Sequence, residues 1–144
     1  MIAQLLIALC PWVPGAESLA EHIERYMADV PGPIAAAIAR EESTCRRGLI
    51  SAKGAVGPWQ IKPDGQALYR CPAWMLRRLA IPAINARCAA RIIRHLKRIC
   101  GDHPRRWLAA YHGSRGCRET AYTRRVLGRL CRIDGQTETT FCRG

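Results

Sequence analysis

No two of the eight cysteines, at positions 10, 45, 71, 88, 100, 117, 131 and 142, stand in Cys-x-x-Cys spacing, and the four histidines do not bracket them. That absence argues against a zinc site, and nothing else in the chain points to a metal or an organic cofactor, so none is expected. No apolar run approaches the ~20 residues that a membrane-spanning helix needs, so no transmembrane span is expected. There is no internal repeat, no low-complexity tract and no alternating pattern that demands a long strand. Aromatic residues make up only 6% and are not interleaved with the basic ones, and no motif that reads RNA or DNA is present, so no nucleic-acid partner is expected. Acidic residues are scarce, 11 against 23 Lys and Arg, which leaves a formal net charge of +12. A surplus of that size predicts an anionic partner such as a wall polymer, a membrane surface or nucleic acid, and by itself does not choose among them.

What the chain does have is cysteine, in a length of 144 residues that suits one domain with a single core, expected as a monomer. Without metal spacing, the cysteines read as disulfides and hence as the mark of an oxidising compartment, periplasmic or exterior. Eight cysteines admit about 105 pairings, and the spacing singles out none of them. Ile2 to Leu9 is an apolar run of signal-peptide length, and Val13-Pro14-Gly15-Ala16 offers small residues for cleavage. The run lacks a positive start and Cys10 is a poor lipoprotein site, so residues 1–16 read either as an export leader or as a buried N-terminal segment. If the leader reading holds, Cys10 leaves with it and one cysteine remains unpaired. The expected layout is then this leader, a domain over 17–131, and a polar tail over 132–144 in which Cys142 staples back to the body.

Helical periodicity dominates the body. Ser18-Leu19-Ala20-Glu21 reads as a capping box, followed by Leu19, Ile23, Met27 and Val30 at helical spacing. Pro31-Gly32-Pro33 breaks the chain, and a second helix runs from Ile34 to Glu42 with Pro33 in its first turn. Gln66 to Ala80 predicts short helices interrupted at Pro72. Asn85 opens the strongest stretch, where Ala89, Ile92, Ile93, Leu96 and Ile99 form an apolar stripe against Arg87, Arg91, Arg94, Lys97 and Arg98, and Gly101 ends it. Asp102 is placed to cap the turn before a short helix around Trp107 to Tyr111, and a last helix is expected over about Arg118 to Leu130. Fold class is therefore mainly α, one helical domain with a small irregular hairpin near Ser51 to Ile61.

The stretch Ile34 to Pro63 is where chemistry concentrates. Two carboxylates, Glu41 and Glu42, fall where the second helix should end, and Gly48, Gly54, Gly57, Pro58 and Pro63 force the following chain to turn back across them. Such a loop, with Trp59 and Ile61 on it, would desolvate Glu42 and raise its pKa towards a general acid's range. No other acid has equal support: Asp64 lies beyond the loop, Asp102 at a turn, and Glu119 at the start of the last helix.

Glu42-Ser43, then Ser51, Gly54-Ala55-Val56-Gly57 and Gln60 in fixed register resemble the lytic transglycosylase domain of the soluble lytic transglycosylases, which is related to goose-type lysozymes. The register selects Glu42 over Glu41, and the resemblance runs from about Ser18 to Leu130. It implies a lysozyme-like α+β fold, which the cysteines would stabilise as disulfides, and a substrate, the glycan strands of peptidoglycan. In the implied reaction Glu42 protonates the oxygen bridging N-acetylmuramic acid to N-acetylglucosamine, then as base activates the muramyl 6-hydroxyl. The product is a 1,6-anhydromuramyl end, and no second protein carboxylate is needed. The resemblance also places Ser51 near the acid, Gln60 along the cleft, Tyr111 in the family's Ala-Tyr-Asn-x-Gly motif, and the Tyr122 hydroxyl close to Glu42. Asn85 with Ala89 resembles the start of the family's long helix. Trp59 is the tryptophan best placed to stack on sugar, with a core role as the alternative. His112 stands where the family has Asn and Ser114 where it has Gly, Cys45 replaces an aromatic, and Pro58-Trp59 replaces Leu-Met. His112 thus either touches substrate or fills the Asn position structurally. The rival readings are a hydrolytic muramidase, with Asp64 as the first second carboxylate to test, and a non-catalytic basic protein that binds wall polymer or nucleic acid.

Overall fold

Six alanines and isoleucines in a row cannot form a one-sided stripe, and Ile34 through Ala39 are indeed fully buried all round. They lie in the computed structural model of the protein, which describes residues 1–113, 116–133 and 142, so Ser114 and most of the polar tail fall outside the described residues. The elements in order are α1 (Ile2–Leu9), a 3-10 turn (Ala16–Ser18), α2 (Leu19–Tyr26), α3 (Gly32–Ser43), α4 (Ala67–Arg70), α5 (Ala73–Leu76), α6 (Pro82–Cys100), α7 (Pro104–Tyr111) and α8 (Ala121–Cys131). Helix α3 is central: α1, α2 and α8 pack on it, its alanines permitting close approach, while α6 carries α2, α4, α5 and α7. The hairpin region reduces to isolated antiparallel bridges, Ile50 with Val56 and Val56 with Ile61. The mainly helical, disulfide-linked architecture is the one expected.

Local details depart from expectation where tertiary contacts decide. Ser18 forms no capping box; its hydroxyl donates back to the Gly15 carbonyl at 2.6 Å, and α2 is launched from the 3-10 turn instead. The true capping box belongs to α8, between Thr120 and Thr123. Helix α6 starts at Pro82, ahead of Asn85, and Ile99 is 63% exposed, because the covered face at that end of the helix runs through Leu96 and Cys100. The side chain that caps α7 is His103, which accepts from the Arg105 amide, and not Asp102.

All eight cysteines are paired: Cys10–Cys45, Cys71–Cys88, Cys100–Cys117 and Cys131–Cys142. The first ties α1 to the turn that ends α3, and Leu5, Leu6 and Leu9 of α1 are buried in the same core. Residues 2–10 therefore pack as part of the domain. The last pair joins Cys142 to the end of α8. Among the described residues no helix is long and apolar enough to cross a membrane.

Candidate active site

Helix α3 ends on Glu41, Glu42 and Ser43, and the two residues after it leave the ordinary backbone regions. Thr44 and Cys45 both take left-handed conformations, with φ of 55° and 60°. Each such non-glycine residue costs on the order of 1–3 kcal/mol and persists only where its surroundings impose it. Here the Thr44 and Cys45 amides reach back to the carbonyls of Arg40 and Ala39 at 3.0 and 3.1 Å, and the disulfide to Cys10 holds the corner. The chain leaves the helix sharply, so that the loop over residues 48–63 folds back across the end that bears Glu42.

That loop is fixed by buried polar contacts from three helices. From α3, the Trp59 indole donates to the Ala35 carbonyl at 3.0 Å, and the Ser43 hydroxyl lies within reach of the carbonyls of Pro58 (2.8 Å) and Ala39 (3.0 Å). From α6, the wholly buried Asn85 donates to the carbonyls of Val56 (2.8 Å) and Leu79 (3.0 Å) and accepts from the Trp59 amide at 3.0 Å. From α7, the Tyr111 hydroxyl donates to the Trp59 carbonyl at 2.7 Å. Gly57 has a positive φ, and a Cβ there would sit 2.4 Å from the Asn85 amide nitrogen, so only glycine fits between loop and clamp. The loop is thus a rigid wall, although it contains almost no regular structure.

Between that wall, the start of α4 and the end of α7 lies a groove of about 650 Å³. Glu42, Ser51, Lys53, Gln60, Lys62, Gln66, Tyr111 and His112 line it, and Glu42 is its sole carboxylate among the described residues. One Glu42 oxygen accepts from the Tyr122 hydroxyl of α8 at 2.8 Å. His112 stacks on the Tyr122 ring, centroids 4.1 Å apart and planes within 7°, and its Nδ1 stands 3.8 Å from the same oxygen. Burial pushes the Glu42 carboxyl up to about 7; the Tyr122 hydrogen bond opposes that, the neighbouring Glu41 charge adds to it, and Arg125 opposes it. Burial, then the Arg125 charge, hold His112 below the ordinary histidine range, with Glu41 opposing. The contact between His112 and Glu42 therefore joins a neutral imidazole to a carboxyl poised between its two forms and is no resting ion pair.

The expected site residues divide accordingly. Glu42, Ser51, Gln60, Tyr111 and His112 all line the groove, and Tyr122 reaches Glu42 from behind it. Several work on the loop as well. The Ser51 hydroxyl accepts from the Ala55 amide at 3.0 Å. Gln60, at a left-handed φ of 49°, uses its side-chain nitrogen on the carbonyls of Gly57 (2.9 Å) and Leu49 (3.1 Å). Trp59 is corrected: it has no exposed surface and both its indole and its backbone are committed to the core, so it cannot stack on a sugar. Asp64 is corrected too, since it does not line the groove and its side chain is 81% exposed, 4.0 Å from Lys62.

Sequence reasoning missed Gln66, whose side chain donates to the Tyr111 carbonyl at 3.0 Å and closes the groove between α4 and α7, and the two lysines. A polar residue between Gly65 and a buried Ala67 was the only signal for Gln66. Lys53 and Lys62 flank the turn-rich loop, where the sequence suits solvated charge as readily as groove lining.

Comparison with known proteins gives a family and a fold. The family described as the transglycosylase SLT domain matches residues 19–126. The crystal structure of the 70 kDa soluble lytic transglycosylase of Escherichia coli is similar, with a TM-score of 0.58 and 24% identity over 77% of this chain, a likeness that shows the fold. The chain spans 18% of the length of that protein. No curated protein matches the sequence.

Proposed function

The chain belongs to the transglycosylase SLT domain family, and from that premise we propose that it is a peptidoglycan lytic transglycosylase with Glu42 as its single acid and base. The observation that carries this reading is the solitude of Glu42: it is the only carboxylate lining the groove among the described residues, and its carboxyl is raised to about 7. An enzyme that cleaves a β-1,4 glycosidic bond with water ordinarily needs two carboxylates. With one, the substrate can itself supply the nucleophile.

The order of steps is the one that the family resemblance implies, with the residues of this groove in its roles. Near neutral pH a carboxyl with a pKa of about 7 is protonated often enough to act as acid and is a strong enough base afterwards. Glu42 donates its proton to the oxygen between N-acetylmuramic acid and N-acetylglucosamine as the bond to the muramyl anomeric carbon breaks. The carboxylate left behind is held by the Tyr122 hydroxyl and takes the proton of the muramyl 6-hydroxyl as that oxygen attacks the anomeric carbon. The products are a 1,6-anhydromuramyl end and a free N-acetylglucosamine end. Ser51, Gln60 and Tyr111 shape the wall along which the glycan lies, and Lys53 and Lys62 favour an anionic polymer at the groove mouth. Four disulfides and the family fit an extracellular or periplasmic place of work.

The test is digestion of purified peptidoglycan by the wild type and by Glu42→Gln, with released fragments weighed. Fragments lighter by one water than hydrolysis products, absent with the variant, are the expected result. Release by both proteins alike would remove Glu42 from the mechanism. Fragments that all retain the water would replace transglycosylation by hydrolysis.

A further inference from the structure

Among the described residues that line the groove, two side chains can take a proton near neutral pH and give it back: Glu42 and His112. The Tyr111 hydroxyl cannot: it is spent on the Trp59 carbonyl, its pKa raised well above the usual phenol value by burial and then by the Glu42 charge.

His112 directly follows the last turn of α7, with its ring pinned by stacking on Tyr122 and half of its side chain (53%) still exposed. Its Nδ1 is 3.8 Å from the Glu42 oxygen that Tyr122 holds, beyond direct hydrogen-bond distance and within reach of one bridging water molecule. The imidazole is thus accessible to a water molecule and adjacent to the acid. That pairing supplies what a one-carboxylate site lacks for hydrolysis, a second base.

We propose that His112 is a general base that activates water against the muramyl anomeric carbon, giving this enzyme a hydrolytic outcome beside the anhydro one. The inference rests on the transglycosylase reading above and deepens it. In the step, the glycosidic bond breaks first through an oxocarbenium-like state and, once the leaving sugar has moved off, the water oxygen bonds to the anomeric carbon from that same face. The electron pair leaves with the bridging oxygen, which takes the Glu42 proton, and the water proton passes to His112. Imidazolium and carboxylate then face each other across the 3.8 Å gap, and the proton moves from ring to Glu42. The acid and the neutral base are both restored, one water has been consumed, and nothing is oxidised or reduced.

The experiment counts reducing against 1,6-anhydromuramyl ends, by mass, among fragments released from purified peptidoglycan by the full disulfide-bonded chain. Wild type is expected to yield both. His112→Asn keeps a planar polar side chain without a base and should lower the reducing share at least about tenfold while anhydro release continues, the smaller end of what a general base contributes. His112→Gln is the second variant, and matching melting temperatures exclude unfolding as the cause. A merely structural His112 would alter the total rate and leave the ratio of ends unchanged in both variants, which would overturn the proposal. Anhydro ends alone from the wild type would overturn it and leave the transglycosylase reading standing, whereas no release at all would overturn both.

Discussion

Glu41 and Glu42 are neighbours on the last turn of α3 with similarly shielded side chains, 12% and 15% exposed, yet they titrate in opposite directions. Burial pushes both carboxyls up. On the Glu41 face that push is outweighed by hydrogen bonds from Arg125 and Arg129 of α8, at 2.6 and 3.1 Å, and by their charges, so the pKa ends below the usual value. On the Glu42 face the partner is a neutral hydroxyl, and the pKa ends near 7. Helix α8 supplies both environments, its arginines turned to one glutamate and its tyrosine to the other. Desolvation alone does not make an acid; what decides is whether a cation accompanies the carboxylate into the interior.

The largest effect that would break this contrast is that of Glu42→Gln. Activity on peptidoglycan should fall by about 10²–10⁴-fold, the range for loss of a general acid. Stability should move the other way. Because the folded carboxyl titrates near 7 and the unfolded one near 4.5, the folded state binds the extra proton between those values, so wild-type stability falls as pH rises through that window. The cost approaches about 3 kcal/mol above the window, and glutamine removes it while still accepting from Tyr122. Denaturation at pH about 8 and about 4 checks this: the variant should be the more stable at the higher pH, with the gap closing at the lower. Parallel pH curves for the two proteins would mean that Glu42 is not strained in the fold.

A middle-sized effect is expected from Tyr122→Phe, which keeps the ring under His112 and deletes only the hydroxyl. With the Tyr122 hydrogen bond that favours the carboxylate gone, the Glu42 pKa should climb further and the alkaline limb of the pH–rate profile should move up. Activity should drop about tenfold, since the anion formed after proton donation loses its donor. An unmoved profile would assign the poise of Glu42 entirely to burial.

The same contrast explains how much was readable beforehand. Helices α2, α3, α6, α7 and α8 were legible because periodicity and the breaks at Pro31-Gly32-Pro33 and Gly101 are local signals, and the Glu42 register was legible because Ser51, Gly57 and Gln60 stand at fixed offsets. The distinction between Glu41 and Glu42 rested on that register alone; nothing near them in sequence announces Arg125 and Arg129, more than eighty positions on. Trp59 was misread for the same reason. A tryptophan in a glycine-rich loop looks exposed until Ala35, Asn85 and Tyr111 arrive from three helices to take its polar groups. The cysteine pairing, too, is set by packing, since spacing left every connectivity open.

The smallest expected effect, and the one that sharpens the contrast most, is that of Glu41→Gln. The substitution keeps the shape and deletes the charge. Two consequences act on Glu42 with the same sign: the negative neighbour that raises its pKa is gone, and Arg125, no longer facing an anion of its own, lowers it further. The alkaline limb of the pH–rate profile should therefore shift to lower pH while the rate at the optimum stays within about threefold, because no group that touches the glycan has changed. Stability should fall by about 1–2 kcal/mol at neutral pH, as two arginines lose a charged acceptor. That loss should shrink on acidification, because a carboxylate whose folded pKa lies below its unfolded one contributes above the unfolded value and loses its contribution as pH drops through the folded one. Wild type and variant are thus expected to converge at low pH for position 41, just as they do for position 42, but from the opposite side. If Glu41→Gln instead abolished activity as Glu42→Gln should, the two carboxylates would be acting as one coupled pair, and the single-acid reading would give way to a two-carboxylate mechanism.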